Sequence, residues 1–315
     1  RSTGKRVCLE PPTRLIGHSH LNIMGAVGAF GQGMGDQDIA FVFKTGKTWF
    51  EVPGSMVVNI HGDLPKNCSA KDLTLFITGK LGSKTALGKA IEFRGPAIDK
   101  LDLAGRITLA SMATEMGAKS AFIKPDRITI DDVKGHTNEP FTIHETDPGF
   151  RYAAEYEFDL TGLKPQVALP HSVDNVRNVE DVEGIQIDQV FVGSCTGGKG
   201  RDIEAVAKVL AGKKVAAGTR LVVTMSTRET VQQAIRKGYY QILLDAGASI
   251  TSPGCGACSG LLGGIVAAHE KCLSTANRNF PGRMGGSVEA EVYLASPLTA
   301  AATALTGKLT NPERP

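Results

Sequence analysis

The chain has 315 residues, 42% of them hydrophobic and 21% charged, with 35 Lys and Arg against 32 Asp and Glu for a formal net charge of +3. A balance of this kind, spread without blocks, offers no basic stripe to neutralise a phosphate backbone, which excludes general nucleic-acid affinity as the default. No apolar run approaches the roughly 20 residues a membrane-spanning helix needs, and residues 1–20 lack the charged start and apolar centre of a secretory signal, so the expectation is a cytoplasmic protein.

In chain order, Ala40–Val52 and Met56–His61 read as strand material, and Ala70–Leu81 as a helix started by Ser69. Leu101–Gly117 reads as a longer helix closed by Gly117. Residues 132–182 mix Pro, Asp, Gly and Asn with short apolar pieces, the pattern of a linker region between two α/β domains. From Ile185 the pattern becomes strand (Ile185–Gly193), helix (Asp202–Leu210), strand (Thr219–Met225) and helix (Thr227–Lys237). Ile242–Ala246 and Ala248–Thr251 then lead to a second glycine-rich loop, Leu261–Glu270 reads as the helix after it, and an alanine-rich helix, Leu298–Thr306, comes last. Such alternation argues for an α/β fold with parallel sheets flanked by helices.

Thirty-seven glycines and 6% aromatics describe many tight turns and close backbone approaches. Six cysteines are too sparse in a chain of this length for a secreted disulfide scaffold, so a subset is expected to hold a metal or do chemistry. Three of them stand in two glycine-rich loops, Gly193-Ser194-Cys195-Thr196-Gly197-Gly198 and Pro253-Gly254-Cys255-Gly256-Ala257-Cys258-Ser259-Gly260. In each loop the cysteine follows strand-like sequence and precedes an expected helix, whose N-terminus favours a thiolate. Flanking glycines let the backbone approach a bulky inorganic group. Three thiols are one short of a closed structural zinc shell; a bare CxxC leaves zinc, a redox pair and a cluster all open. Cys8, Cys68 and Cys272 have no paired spacing and read as small core residues.

The runs VFVGSCTGGKGRDIEA, PGCGACSG, CLSTANRNFPGRMGG and YLASPLTAAATALTG resemble, in collinear order, the large subunit of the aconitase superfamily. GAVGAFGQGMGDQDIAFVFKTGKTWFEVP and LDLAGRITLASMATEMGAKSAF fit the same family, and its two-subunit 3-isopropylmalate dehydratases and homoaconitases are the most similar branch. The resemblance implies a [4Fe-4S] cluster on Cys195, Cys255 and Cys258, with a free iron acting as Lewis acid on a hydroxy di- or tricarboxylate of the 3-isopropylmalate, homoaconitate or methylmalate type. It implies a separate small, swivel-domain subunit as partner. It assigns substrate carboxylates to Arg278 and Arg283, whose guanidinium forks suit bidentate binding, and a hydrogen bond near the cluster to Asn277. His20 and Glu115 resemble a catalytic pair in which the carboxylate fixes the imidazole tautomer, and Ser19 a substrate-contacting serine. His171 lies in a family-like stretch without an assigned role, while His61, His136, His144 and His269 read as surface or loop histidines.

By the same resemblance the domains are expected as 1–50 (remainder of a first aconitase-type domain), 51–165 (second) and 166–315 (third, with the cluster cysteines), around a central cleft. Four departures from the pattern stand out. The family's Asp-Ser-His-Thr is here His18-Ser19-His20-Leu21, its Asn-Ser after Cys-Thr is Gly197-Gly198, and its asparagine before the glutamate is Ser111. Against the family pattern the chain also starts just before the Ser-His motif, without the segment bearing an Asp-His general-acid pair. These departures keep two alternatives in view, a catalytically weak cluster-binding paralogue and a cluster-free RNA-binding form; a thiol redox role for Cys255 and Cys258 is a further one.

Overall fold

The computed structural model describes residues 6–9, 19–260 and 262–313. The chain divides into two compact units, Arg1–His61 with Lys84–Phe158, and Gly62–Ser83 with Asp159–Pro315.

In the first unit β1 (Arg6–Leu9) pairs antiparallel with β2 (Thr48–Glu51), and α1 (Asp36–Thr45) lies between them in sequence. The expectation of strand over Ala40–Val52 therefore fails in its first half. Phe41-Val42-Phe43 has the composition of a strand, but Asp36 and Asp38 favour a helix start in the first turn and Gly46, at φ +67°, closes it. β3 (Gly54–His61) begins a parallel sheet and is followed in sequence by α2 (Ala70–Leu81), which belongs to the second unit. β4 (Lys89–Arg94) lies parallel to β3, with Val57 opposite Glu92. The helical turn α3 (Pro96–Asp99) and α4 (Leu103–Met112) follow. The helix expected over Leu101–Gly117 is thus two pieces: α4, capped by Asp102, which accepts the Gly105 N–H at 2.9 Å, and a tighter 3-10 turn, Ala113–Met116, ended by Gly117. β5 (Ser120–Ile123), α5 (Arg127–His136) and β6 (Ala154–Asp159) complete a four-stranded sheet of order β5-β4-β3-β6.

Arg106 of α4 is 1% exposed, and its guanidinium holds the N-cap of α5. Both terminal nitrogens donate to Asp126, at 2.8 and 2.6 Å, and Nε donates to the Leu101 carbonyl at 3.0 Å. Arg106→Met should cost about 2–3 kcal/mol in a denaturant titration, the lower end of the range for a broken buried pair because Asp126 is partly exposed and screened. Hydrogen bonding to Arg106 holds the Asp126 carboxyl below its ordinary 3.8. This part of the stability is therefore present above pH 4 and lost as pH falls through the depressed value, so parent and variant should converge in acid.

The second unit is built on a seven-stranded sheet. β7 (Gln166–Ala168), β8 (Val176–Asn178) and β9 (Gln189–Gly193) open it, followed by the turn α6 (Ser194–Gly197), α7 (Gly200–Leu210), β10 (Arg220–Thr224), α8 (Arg228–Arg236) and α9 (Tyr239–Ala246). β11 (Ser249–Ile250), β12 (Lys271–Ser274), β13 (Glu291–Ala295) and α10 (Pro297–Thr306) finish it, in the spatial order β11-β10-β9-β12-β13-β7-β8. The five strands from β11 to β13 are parallel, and β7 and β8 join as an antiparallel edge. Every residue of β9 is buried, and Val190, Val192, Val206, Leu210, Leu273 and Ala301 are among those that build the core between sheet and helices.

Residues 132–182, expected as linker, contain the end of α5 and all of β6, β7 and β8. Residues 262–270 do not form the expected helix: Gly263 and Gly264 sit at φ +50° and +74°, which no α-helix accommodates. Among the described residues no helix is long and apolar enough to cross a membrane.

Candidate active site

In the second unit the chain leaves β9 toward β10 on one side, and β12 lies on its other side, so the connections reverse beside β9. A crevice outside the carboxyl ends of parallel strands at such a reversal is where open α/β sheets place ligands. Cys195 follows the end of β9, Cys255 and Cys258 follow β11, and Asn277, Arg278 and Arg283 follow β12.

Two of the thiols act on the third. Burial pushes the Cys255 thiol up, Cys258 and then Cys195 push it further, and Arg283 opposes them. Arg283 donates to the Cys258 sulfur at 3.1 Å, and Asn277 Nδ2 lies 3.6 Å from the Cys195 sulfur. Cys255 is exposed, Cys195 half-buried and Cys258 buried. Helix N-termini contribute less here than the sequence suggests. Cys195 lies in the single turn α6, and Cys255 precedes a single 3-10 turn, Gly256–Ser259, with no longer helix behind it.

The glycines answer to packing. A Cβ on Gly256, at φ +54°, would collide with the Thr224 side chain, and one on Gly197 with the Thr275 side chain. The Gly197-Gly198 departure is therefore matched by its surroundings: Thr275, which accepts the Gly193 N–H at 2.9 Å, occupies the room a larger residue at 197 would take.

A tris-thiolate cluster was tested against these side chains. Among the described residues no three Cys, His, Asp or Glu are gathered tightly enough to hold a single metal ion. A polynuclear group asks for wider spacing. Three thiols in mutual electrostatic reach, an amide and a guanidinium directed at two of them, and a buried Arg283 Nε–H without a hydrogen-bond partner form an electropositive, donor-rich setting for an anionic iron-sulfur group. The residues fit it.

Sequence reasoning missed the supports of this loop. Lys71, at the start of α2 and 1% exposed, donates from Nζ to the Ala276 carbonyl at 2.6 Å, directly before Asn277. Its neighbour Asp72 closes the capping box with Ser69 and accepts the Gln166 N–H at 2.9 Å. Burial pushes the Asp72 carboxyl up while bonds from Gln166, Ser69 and Ser296 pull it back. The visible signal was a Lys-Asp pair at the head of a helix whose next turns are mostly apolar. Ser194 and Thr196, also missed, line Asn277 within the same unit.

In the first unit His20 is 4% exposed, and its Nε2 lies 2.7 Å from Glu115 Oε1. The Ser19 hydroxyl, exposed, is 3.1 Å from Nδ1. A carboxylate only accepts, so Nε2 carries the proton against Glu115, and an Nδ1 that carries none accepts from Ser19. Glu115 stands in the 3-10 turn, not on α4, and Ser111 is buried on α4. Arg278 is half-buried beside Asn277. His18 lies outside the described residues.

Thiol reactivity provides a direct check on this placement. In metal-free reduced protein, iodoacetamide should modify Cys255 and Cys195 while sparing Cys68 and Cys272, as read by peptide mass mapping. Both spared thiols are buried, and burial holds Cys272 up to about 12. Its contribution to stability is present below its ordinary 9.0 and lost as pH rises toward that value of about 12. Rapid labelling of Cys272 in the native state would contradict this arrangement.

A profile of the Aconitase family (aconitate hydratase) matches residues 8–184 and 177–307. A "Probable methanogen homoaconitase large subunit" of Methanosarcina mazei is 47% identical over 305 residues, covering 96% of this chain and 77% of that protein. A "3-isopropylmalate dehydratase large subunit 1" of Methanopyrus kandleri is 46% identical over 305 residues, 96% of this chain and 73% of its own length. A protein described in the same words from Archaeoglobus fulgidus is 41% identical over 309 residues, 97% and 73%.

Proposed function

Because the chain belongs to the aconitase family of hydro-lyases, we propose that it is the cluster-bearing large subunit of a two-subunit enzyme that dehydrates and rehydrates a hydroxy di- or tricarboxylate. The substrate would be of the 3-isopropylmalate, homoaconitate or methylmalate type. The observation that supports this reading most is the convergence of Cys195, Cys255 and Cys258 with Arg283 and Asn277 at the carboxyl ends of parallel strands.

When bound, a [4Fe-4S] group held by the three thiolates supplies Lewis acidity to a substrate hydroxyl and carboxylate. The remaining roles fall to this chain's own side chains. Arg278 and Arg283 each offer a planar fork to a substrate carboxylate. His20 holds its Nε2 proton against Glu115 and exchanges a proton at Nδ1, with the Ser19 hydroxyl as the group within reach. Asn277 donates toward the Cys195 sulfur. A small subunit, as the relatives' descriptions as large subunits suggest, would complete the substrate pocket.

Anaerobic purification followed by iron and sulfide analysis, then turnover of a panel of malate derivatives with an added small subunit, tests the reading. The expected result is about four irons per chain and formation of an unsaturated acid from at least one derivative. Protein that takes up no iron on reconstitution would overturn it.

A further inference from the structure

The Asn277 carboxamide is fully buried, and its two ends lie almost equally far from the Cys195 sulfur, Nδ2 at 3.6 Å and Oδ1 at 3.7 Å. Distance to sulfur alone therefore does not choose which end faces it. Two buried hydroxyls lie against the oxygen. Ser194 Oγ lies 3.3 Å and Thr196 Oγ1 3.1 Å from Oδ1, and the two hydroxyls are 3.2 Å apart. Thr196 Oγ1 is also 2.9 Å from the Thr275 carbonyl, and its backbone N–H donates to Ser194 Oγ at 3.3 Å.

We propose that Ser194 and Thr196 are positioning residues that fix the Asn277 carboxamide, keeping its oxygen on their hydroxyls and its N–H on the Cys195 sulfur. This rests on the reading of Cys195 as a cluster ligand. A thiolate sulfur can only accept and so takes the amide N–H, which leaves Oδ1 against the two hydroxyls; the Ser194 hydroxyl donates to it, and the single Thr196 proton is shared between Oδ1 and the Thr275 carbonyl. Ser194 and Thr196 are 1% and 0% exposed, so a lost hydroxyl is not readily replaced by solvent, and a carboxamide oxygen without its donor leaves the N–H on sulfur less firmly held. Ser194 sits at φ +70° immediately before Cys195, which turns the hydroxyl toward Asn277 as the chain leaves β9. A hydrogen bond to a ligating sulfur withdraws charge from it, and groups of this kind outside the ligand set tune how firmly a metal group is held.

The test uses the full chain, reconstituted anaerobically, with Ser194→Ala and Thr196→Val singly and together, and Thr196→Ser as the conservative variant. Release of iron to a chelator should be about 10- to 100-fold faster in the double variant, with a shifted iron–thiolate stretching band in resonance Raman spectra. Thr196→Ser should restore both. If the parent takes up no iron, the cluster reading fails. If the parent loads, a double variant with parental release rate and Raman band overturns the positioning role. A variant that only melts at lower temperature, with release and spectrum unchanged, overturns it as well, since that is what a purely structural hydroxyl would give.

Discussion

Cys255→Ser is expected to fold like the parent and to lose iron, sulfide and turnover together, with activity down more than about 100-fold, beyond what loss of a group merely supporting a ligand costs. Cys255 is exposed, and burial together with two neighbouring thiols already disfavours its anion in the metal-free protein. Its removal therefore takes no packed atom from the core, so the thermal midpoint of the metal-free variant should match that of the parent. An alcohol ionises far less readily than a thiol, and the two thiolates left cannot hold the group that three can. Cys272→Ala is the control. Cys272 is buried in β12, 3.9 Å from the Met284 sulfur, and Gln189 donates to it at 3.7 Å. Its truncation should cost about 1 kcal/mol of stability and leave iron content unchanged. Parental iron and turnover in Cys255→Ser would remove Cys255 from the ligand set.

The contrast between these two cysteines shows which parts of the molecule were legible in the sequence. Local rules carried much of the frame in both units: Ser69 starts α2, Gly117 ends its segment, and Thr227 caps α8 by accepting the Thr230 N–H, each within a few residues of the pattern that announced it. Where local signals conflict, the reading failed. Phe41-Val42-Phe43 looks like strand and forms helix, with none of α1 buried to impose a periodicity. The expected helix over Leu261–Glu270 reads well in its apolar content, yet Gly263 and Gly264 hold φ +50° and +74°, and a side chain at Gly264 would press on Val222 and Ala257. The site divides in the same way. Its cysteine loops were visible because cysteine is rare and glycine punctuates them. The supports were not, because Ser194 meets Asn277 across 83 positions and Lys71 meets Ala276 across 205, contacts that depend on sheet order. Only the pairing of β9 with β12, Phe191 opposite Ser274, brings the two loops side by side.

The His20 and Glu115 pair carries the second large effect. Turnover should fall by about 10²–10⁴-fold in His20→Ala, the range for a positioned proton-transfer group, with iron content kept because neither residue is a proposed cluster ligand. Glu115→Gln is the sharper experiment. The carboxylate can only accept, so at 2.7 Å it holds the proton on Nε2 and leaves Nδ1 facing Ser19 at 3.1 Å as the exchanging atom. A glutamine in its place keeps size and position but can donate, which lets the ring take the other tautomer, with the proton on Nδ1 and the exchange reversed. A carboxylate-to-amide change of this sort beside a catalytic imidazole lowers turnover by about 10⁴ where the tautomer matters. A drop in kcat of at least about 10²-fold at unchanged KM is therefore expected for Glu115→Gln, because the proposed roles give the substrate carboxylates to Arg278 and Arg283 and not to this pair. Two results discriminate. Loss of KM with kcat intact would make Glu115 a binding or packing residue, and parental kcat would show that the His20 tautomer does not enter the rate-limiting step.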